Sequence, residues 1–76
     1  MKYNFIDGKG NFLSKSNFDD TNLFSEGYAA VQVGDKWGYI NTKGEYICAP
    51  IFDYAYDFKD GLAVIKINDK YGYINT

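Results

Sequence analysis

Asp35-Lys36-Trp37-Gly38-Tyr39-Ile40-Asn41-Thr42 returns almost unchanged as Asp69-Lys70-Tyr71-Gly72-Tyr73-Ile74-Asn75-Thr76. The octets lie 34 residues apart. The same shift maps Gly10 onto Gly44, Phe18 onto Phe52, Asp19 onto Asp53, Phe24 onto Phe58, Gly27 onto Gly61 and Ala29 onto Ala63, with no insertion or deletion. A period of this size marks a tandem-repeat architecture, in which each unit is a small supersecondary element that cannot bury its own apolar face.

Within the unit the signal is β-strand. Ala63, Ile65 and Ile67 alternate with Leu62, Val64 and Lys66, a period of two with β-branched enrichment. Asn68-Asp69 follows, and both residue types tolerate positive φ, so a two-residue hairpin loop is expected with Ile67 opposite Lys70. Gly34-Asp35 occupies the same place one period earlier. This register pairs Ile65 with Gly72, Val64 with Tyr73 and Ala63 with Ile74. One face then carries Ala63, Ile65, Ile67, Gly72 and Ile74, and the other carries Leu62, Val64, Tyr71 and Tyr73. The earlier copy divides in the same way: Ala29, Val31, Val33, Gly38 and Ile40 against Tyr28, Ala30, Trp37 and Tyr39. One face is aliphatic with a glycine notch that admits close approach of a neighbour; the other is aromatic.

Asn41-Thr42-Lys43-Gly44-Glu45 fits a three-residue loop with Gly44 left-handed. It pairs Asn41 with Glu45, Ile40 with Tyr46 and Gly38 with Cys48, and Asp7-Gly8-Lys9-Gly10-Asn11 repeats it. Pro50 is expected to end the third strand. The connector over 49–60 carries Phe52, Tyr54, Tyr56 and Phe58, and fits either a short strand or a helical turn. The expected fold is all-β: tandem three-stranded antiparallel meanders, about two 34-residue repeats, incomplete at both ends. The domain is single, 1–76, with a partial unit over 1–23, a repeat over 24–57 and a partial repeat over 58–76.

Composition narrows the function. A chain of 76 residues buries only about 60% of its unfolded surface and is marginal alone. With one cysteine and no histidine, neither an internal disulfide nor a zinc site is expected to brace it. Stability must come from aromatic residues, a fifth of the chain, from stacking of units, or from self-association. The net charge is −2 with no arginine and no basic cluster, which argues against nucleic acid. No apolar signal region or membrane-length apolar run is visible, so the expected location is cytoplasmic, although a fragment of a longer exported chain would read the same way.

Lys36-Trp37-Gly38-Tyr39-Ile40-Asn41 resembles the core motif of the WG-repeat (KWG) family of bacterial tandem repeats. The resemblance extends to Phe24-Ser25-Glu26-Gly27-Tyr28-Ala29-Ala30-Val31, to Gly44, and to Ile47-Cys48-Ala49-Pro50-Ile51-Phe52-Asp53, and covers almost the whole chain. The departures are Tyr71 for the tryptophan in the last copy, Tyr3-Asn4 for Trp-Gly in the first, and Ser16 for Pro50. The resemblance implies non-enzymatic repeat modules that mediate interactions, and brings no catalytic residues with it.

The chemistry-bearing residues point the same way. The carboxylates Asp19, Asp20, Glu26, Asp53, Asp57 and Asp60 include equivalent pairs, Asp19 with Asp53 and Glu26 with Asp60. A residue that recurs in each unit serves the unit, through turn capping, rather than acid–base catalysis. Lys9 occupies a ligand slot of the apparent calcium loop at 7–11 and no distal Glu follows, so a hairpin turn is the better reading. Cys48 has no histidine partner, and its register opposite Gly38 places it on the aliphatic side as a structural thiol.

Trp37, Tyr39, Tyr71 and Tyr73 suit either a ligand-stacking surface or cross-strand pairs buried by Phe24, Phe52 and Phe58, and burial is favoured because so short a chain needs a core. Tyr54 and Tyr56 replace Asp20 and Asn22 of the earlier copy, positions that tolerate polar groups and therefore face solvent. The candidate contact surface is thus Tyr54, Tyr56, Trp37 and Tyr71, with no catalytic residue, metal or cofactor expected. The expected function is a non-enzymatic module for protein–protein interaction or self-association, with a homo-oligomer formed through open end strands. A small-ligand or glycan-binding module using the aromatic residues is the alternative.

Overall fold

The structure, a computed structural model, describes Asn4 and residues 18–75. The turn expected at 7–11 lies outside the described residues. Seven strands run in order: β1 (Asp20–Thr21), β2 (Tyr28–Val33), β3 (Lys36–Asn41), β4 (Tyr46–Phe52), β5 (Tyr54–Ala55), β6 (Leu62–Ile67) and β7 (Lys70–Asn75). They form two antiparallel sheets, β1-β2-β3-β4 and β5-β6-β7. The described residues contain no helix, so the all-β expectation holds.

Local chemistry sets the hairpins. Asn68 and Asp69 both have positive φ, 50° and 65°, the conformation of a type I′ turn, which matches the twist of the strands it joins. The register is the expected one, from Ile67↔Lys70 through Ile65↔Gly72 to Ala63↔Ile74. At Gly34-Asp35 only the glycine is left-handed, and Val33↔Lys36 closes the pair. Gly44 has φ 80°, and the Asn41 N–H donates to the Glu45 carbonyl at 2.9 Å. The Asn41 carboxamide also accepts the Lys43 and Glu45 N–H groups, so this loop holds itself.

Three expectations change. Ile40 pairs with Tyr46 as expected, but Tyr39, not Gly38, lies opposite Cys48, and Trp37 lies opposite Phe52. Extra residues on β4 bulge it away from a regular ladder. The cause is visible at Gly38: a Cβ built there would meet the Cys48 carbonyl oxygen at 2.6 Å and the Pro50 nitrogen at 2.8 Å. The glycine notch is therefore filled by the backbone of β4, and that close approach displaces the register. Cys48 moves to the aromatic side, where it borders the cluster containing Tyr39. Pro50 does not end the strand, which runs on to Phe52; as an outer strand β4 tolerates a residue without an N–H. The connector holds a short strand, β5, paired through Tyr54↔Lys66 and Ala55↔Ile65, just as β1 pairs with β2. Each hairpin thus gains a strand on the side away from its glycine notch.

Two clusters make the core. In the first sheet the aliphatic face, Ala29, Val31 and Ile40, is buried with Phe18 and bordered by Phe24. The aromatic face of that sheet, with Ala30, Trp37 and Tyr39, packs against Ala63 and Ile65 of the second sheet. Phe52, Ala55 and Phe58 complete this second cluster. The aromatic face of one unit therefore covers the aliphatic face of the next, and connector phenylalanines seal the join.

Gly38→Ala should destabilise the chain by about 1–3 kcal/mol through overpacking against rigid backbone. Gly72→Ala, whose Cβ would lie 3.5 Å from one Ile65 methyl, should be near neutral. Urea denaturation of the two variants checks the contrast.

Candidate functional site

The two sheets are joined by a set of polar contacts as well as by the core. The turn Glu26-Gly27 has φ 54° and 87°, and Asp60-Gly61 repeats it with 54° and 78°. The Glu26 carboxylate accepts the Asp60 N–H at 2.6 Å and the Gly61 N–H at 2.8 Å, so one turn caps the equivalent turn of the next sheet. The Ser25 hydroxyl donates to the Phe58 carbonyl at 2.8 Å. The Tyr39 hydroxyl donates to the Tyr56 carbonyl, and the Tyr39 ring meets Phe58 edge-on at 4.9 Å. The Lys36 ammonium pairs with the Asp53 carboxylate.

Asp53 stands at the corner where the chain leaves the first sheet for the second. Its N–H donates to the Lys66 carbonyl at 2.8 Å, and its carboxylate accepts the Asn68 N–H at 2.7 Å. Asp19 makes the equivalent bonds, from its N–H to the Gln32 carbonyl and from the Gly34 N–H to its carboxylate. These two carboxylates each cap the turn of the hairpin that follows them, a structural role as the recurrence implied. Glu26 differs, for it reaches across to the next unit. The hydrogen bond from Lys36, followed by that from the Asn68 N–H, holds the Asp53 carboxyl below its ordinary range, and Asp53 raises Lys36 in return. Burial raises Tyr39 well above the usual phenol range and pushes the Cys48 thiol up, leaving it protonated at neutral pH.

The second sheet presents the same aromatic face, but uncovered. Tyr71 is 65% exposed and Tyr73 72%, whereas their equivalents Trp37 and Tyr39 are 4% and 0% exposed. Leu62 is also exposed and Val64 half-buried. With Tyr56 these residues line an open groove of about 450 Å³, rimmed by Asp57, Lys59 and Asp60. The Lys66 ammonium lies 5.7 Å from the Tyr71 ring centre, within cation–π range. Of the sequence candidates, Tyr56 and Tyr71 share this groove. Tyr54 packs edge-on against Trp37 at 5.2 Å and against Tyr56 at 4.8 Å. Trp37 itself is buried in the core and offers no surface.

Leu62 and Asp60 are not on the contact surface expected from the sequence, nor is Tyr73, which the sequence leaves between stacking and burial. The 34-residue shift carries the signal for them, because each repeats a residue of the inter-sheet contact: Tyr39, Tyr28 and Glu26. Among the described residues every buried side-chain polar atom has a partner, and no group of His, Cys, Asp or Glu is arranged to hold a metal ion. Nor is any helix among them long and apolar enough to cross a membrane.

The paired turns, the doubled hairpins and the buried Trp37-Gly38 agree with the comparison of the sequence with known families, where the WG containing repeat matches twice, over residues 5–37 and 37–71. The chain belongs to this family. No curated protein and no solved structure matches it. In WG-repeat terms, the tryptophan of the motif serves the join between sheets, where its indole fills the shared core, and the glycine serves the first sheet itself by admitting the backbone of β4.

The Lys36–Asp53 pair predicts a particular pH response. Its carboxylate contribution is complete above the unfolded aspartate value of about 3.9 and drains as pH falls through the lower folded value. Its ammonium contribution is complete below about 10.4 and drains as pH rises through the raised folded value. The stability difference between the parent and Asp53→Asn should therefore be flat at intermediate pH and narrow on both the acid and alkaline sides. Thermal denaturation across pH measures it.

Proposed function

We propose that the chain is a non-enzymatic interaction module that binds a protein through the exposed aromatic face of its second sheet. The observation that carries this reading is the contrast between two equivalent faces. Tyr39 is fully buried by protein, while Tyr73, its repeat, is 72% exposed beside Tyr71 and Leu62. Clustered exposed aromatic side chains of this kind supply large contact area at low entropic cost, and they dominate the binding energy of protein interfaces. Strand β7 adds an outer edge next to the face, with backbone groups open to pairing. The carboxylates that could have served catalysis are engaged otherwise: Asp53 and Glu26 cap N–H groups.

A saccharide-binding reading draws on the same tyrosines beside Asp57 and Asp60. It is the weaker of the two because the groove is open and its lining largely apolar, where small-ligand sites have convergent polar groups. The tryptophan that such stacking would favour is also buried.

Replacing Tyr73 with the photo-crosslinker p-benzoylphenylalanine in the native cell should give protein adducts of discrete mass. The same replacement at exposed Lys43, on the loop after β3, should give none. Absence of adducts at position 73, together with tyrosine NMR shifts that move on addition of oligosaccharides, would contradict the protein-binding reading and support the saccharide one.

A further inference from the structure

We infer that the partner of the Tyr71–Tyr73 face is a further repeat unit of the same kind, docked by its aliphatic sheet face as the second sheet docks on the first. The inference rests on the protein-binding reading and names the partner's chemistry. Its warrant is an interface already present inside the chain. The first sheet presents Tyr39, Trp37, Lys36 and Glu26 to the second. Tyr39 and Trp37 fill the cluster with Ala63 and Ile65, Lys36 pairs with Asp53, and Glu26 caps the turn at Asp60-Gly61.

Displaced by 34 residues, the same set stands on the second sheet as Tyr73, Tyr71, Lys70 and Asp60, and all four are exposed. Apolar and polar determinants are thus repeated together and in register, on a surface that buries none of them. The geometry specifies what fits: a hairpin with an Ala-x-Ile-x-Ile strand and a Gly-x-Ile strand, a preceding connector with an aspartate to meet Lys70, and an Asp-Gly or Glu-Gly turn to meet Asp60. Asp60 is one methylene shorter than Glu26, so the incoming turn sits closer or takes one bond in place of two. Tyr56, which replaces Asn22, widens the apolar floor.

A second copy of the chain is the poorer occupant. Among the described residues it has no uncovered aliphatic sheet face to offer. Ala29, Val31 and Ile40 are buried with Phe18, and Ala63 and Ile65 are buried under the first sheet. Through the described residues two copies could meet only aromatic face to aromatic face, which leaves each Asp60 and Lys70 without the turn and the aspartate that their equivalents contact.

The test supplies such a unit to the intact chain. A further copy of the sequence of residues 43–76 is appended after Thr76, in register because Thr76 repeats Thr42. Nitration of tyrosines is then followed by peptide mass. The inference predicts that Tyr71 and Tyr73 react freely in the 76-residue chain and lose that reactivity in the extended one. Introducing Tyr73→Asp into the extended chain should leave Tyr71 reactive; because Tyr73 is largely exposed, this change spares the parent fold. Unchanged reactivity of both tyrosines on extension would overturn the inference. So would protection of Tyr71 that survives Tyr73→Asp, or protection of both tyrosines in the unextended chain by self-pairing. Protein adducts at position 73 combined with reactive tyrosines in the extended chain would remove the repeat-unit partner and leave the interaction reading standing. Absence of adducts together with reactive tyrosines would remove both.

Discussion

The structure depends on one act of burial: Tyr39 of the first sheet lies fully enclosed against the second. A buried tyrosine contributes about 150–250 Å² of surface to a core. Its hydroxyl must then find an acceptor, since an unpaired buried donor costs about 1–3 kcal/mol. The Tyr56 carbonyl meets that need, so the apolar and polar requirements of one side chain are both met by the second sheet and the connector that leads into it. Everything else at the join follows the same plan. Phe52 and Phe58 fill the space around the Tyr39 ring, Glu26 caps the next turn, and Lys36 reaches the corner at Asp53. Among the described residues the second sheet buries no cluster apart from the one it shares with the first, and a sheet of so few short strands requires a covered face to persist in water.

This arrangement explains why a WG-repeat unit is built with two unlike faces. The aliphatic face is made of small or branched side chains that leave a smooth surface, while the aromatic face projects rings that fill it. Unlike faces join head to tail, so a contact of this type is directional and leaves one face of each kind at the ends of an open stack. The uncovered tyrosines of the second sheet are the consequence of that polarity.

Much of this was legible in the sequence. The β6–β7 register followed from Asn68-Asp69 because the turn is local: two residues able to take positive φ fix the pairing of the strands they join. The split into aliphatic and aromatic faces followed from strand alternation. The bulged β4 was not legible, because its cause is the meeting of Gly38 with backbone ten or more residues away, where the glycine announces room but not what fills it. The burial of Trp37 alongside the exposure of its repeat Tyr71 was equally hidden. Periodicity shows which residues are equivalent but not which of two equivalent faces finds a neighbour. For the same reason the recurrence of Glu26 and Asp60 indicated a structural role, while its reach into the next unit required three dimensions.

The central claim is that the join between sheets, rather than either sheet alone, holds the fold. Native-state amide hydrogen exchange tests it most directly, because it resolves which hydrogen bonds open together. The account predicts that the paired amides of β2–β3 and of β6–β7 exchange through one shared opening with the same free energy, and that Tyr39→Ala lowers both together. Independent exchange of the β6–β7 hairpin, with a lower free energy that Tyr39→Ala leaves unchanged, would contradict it.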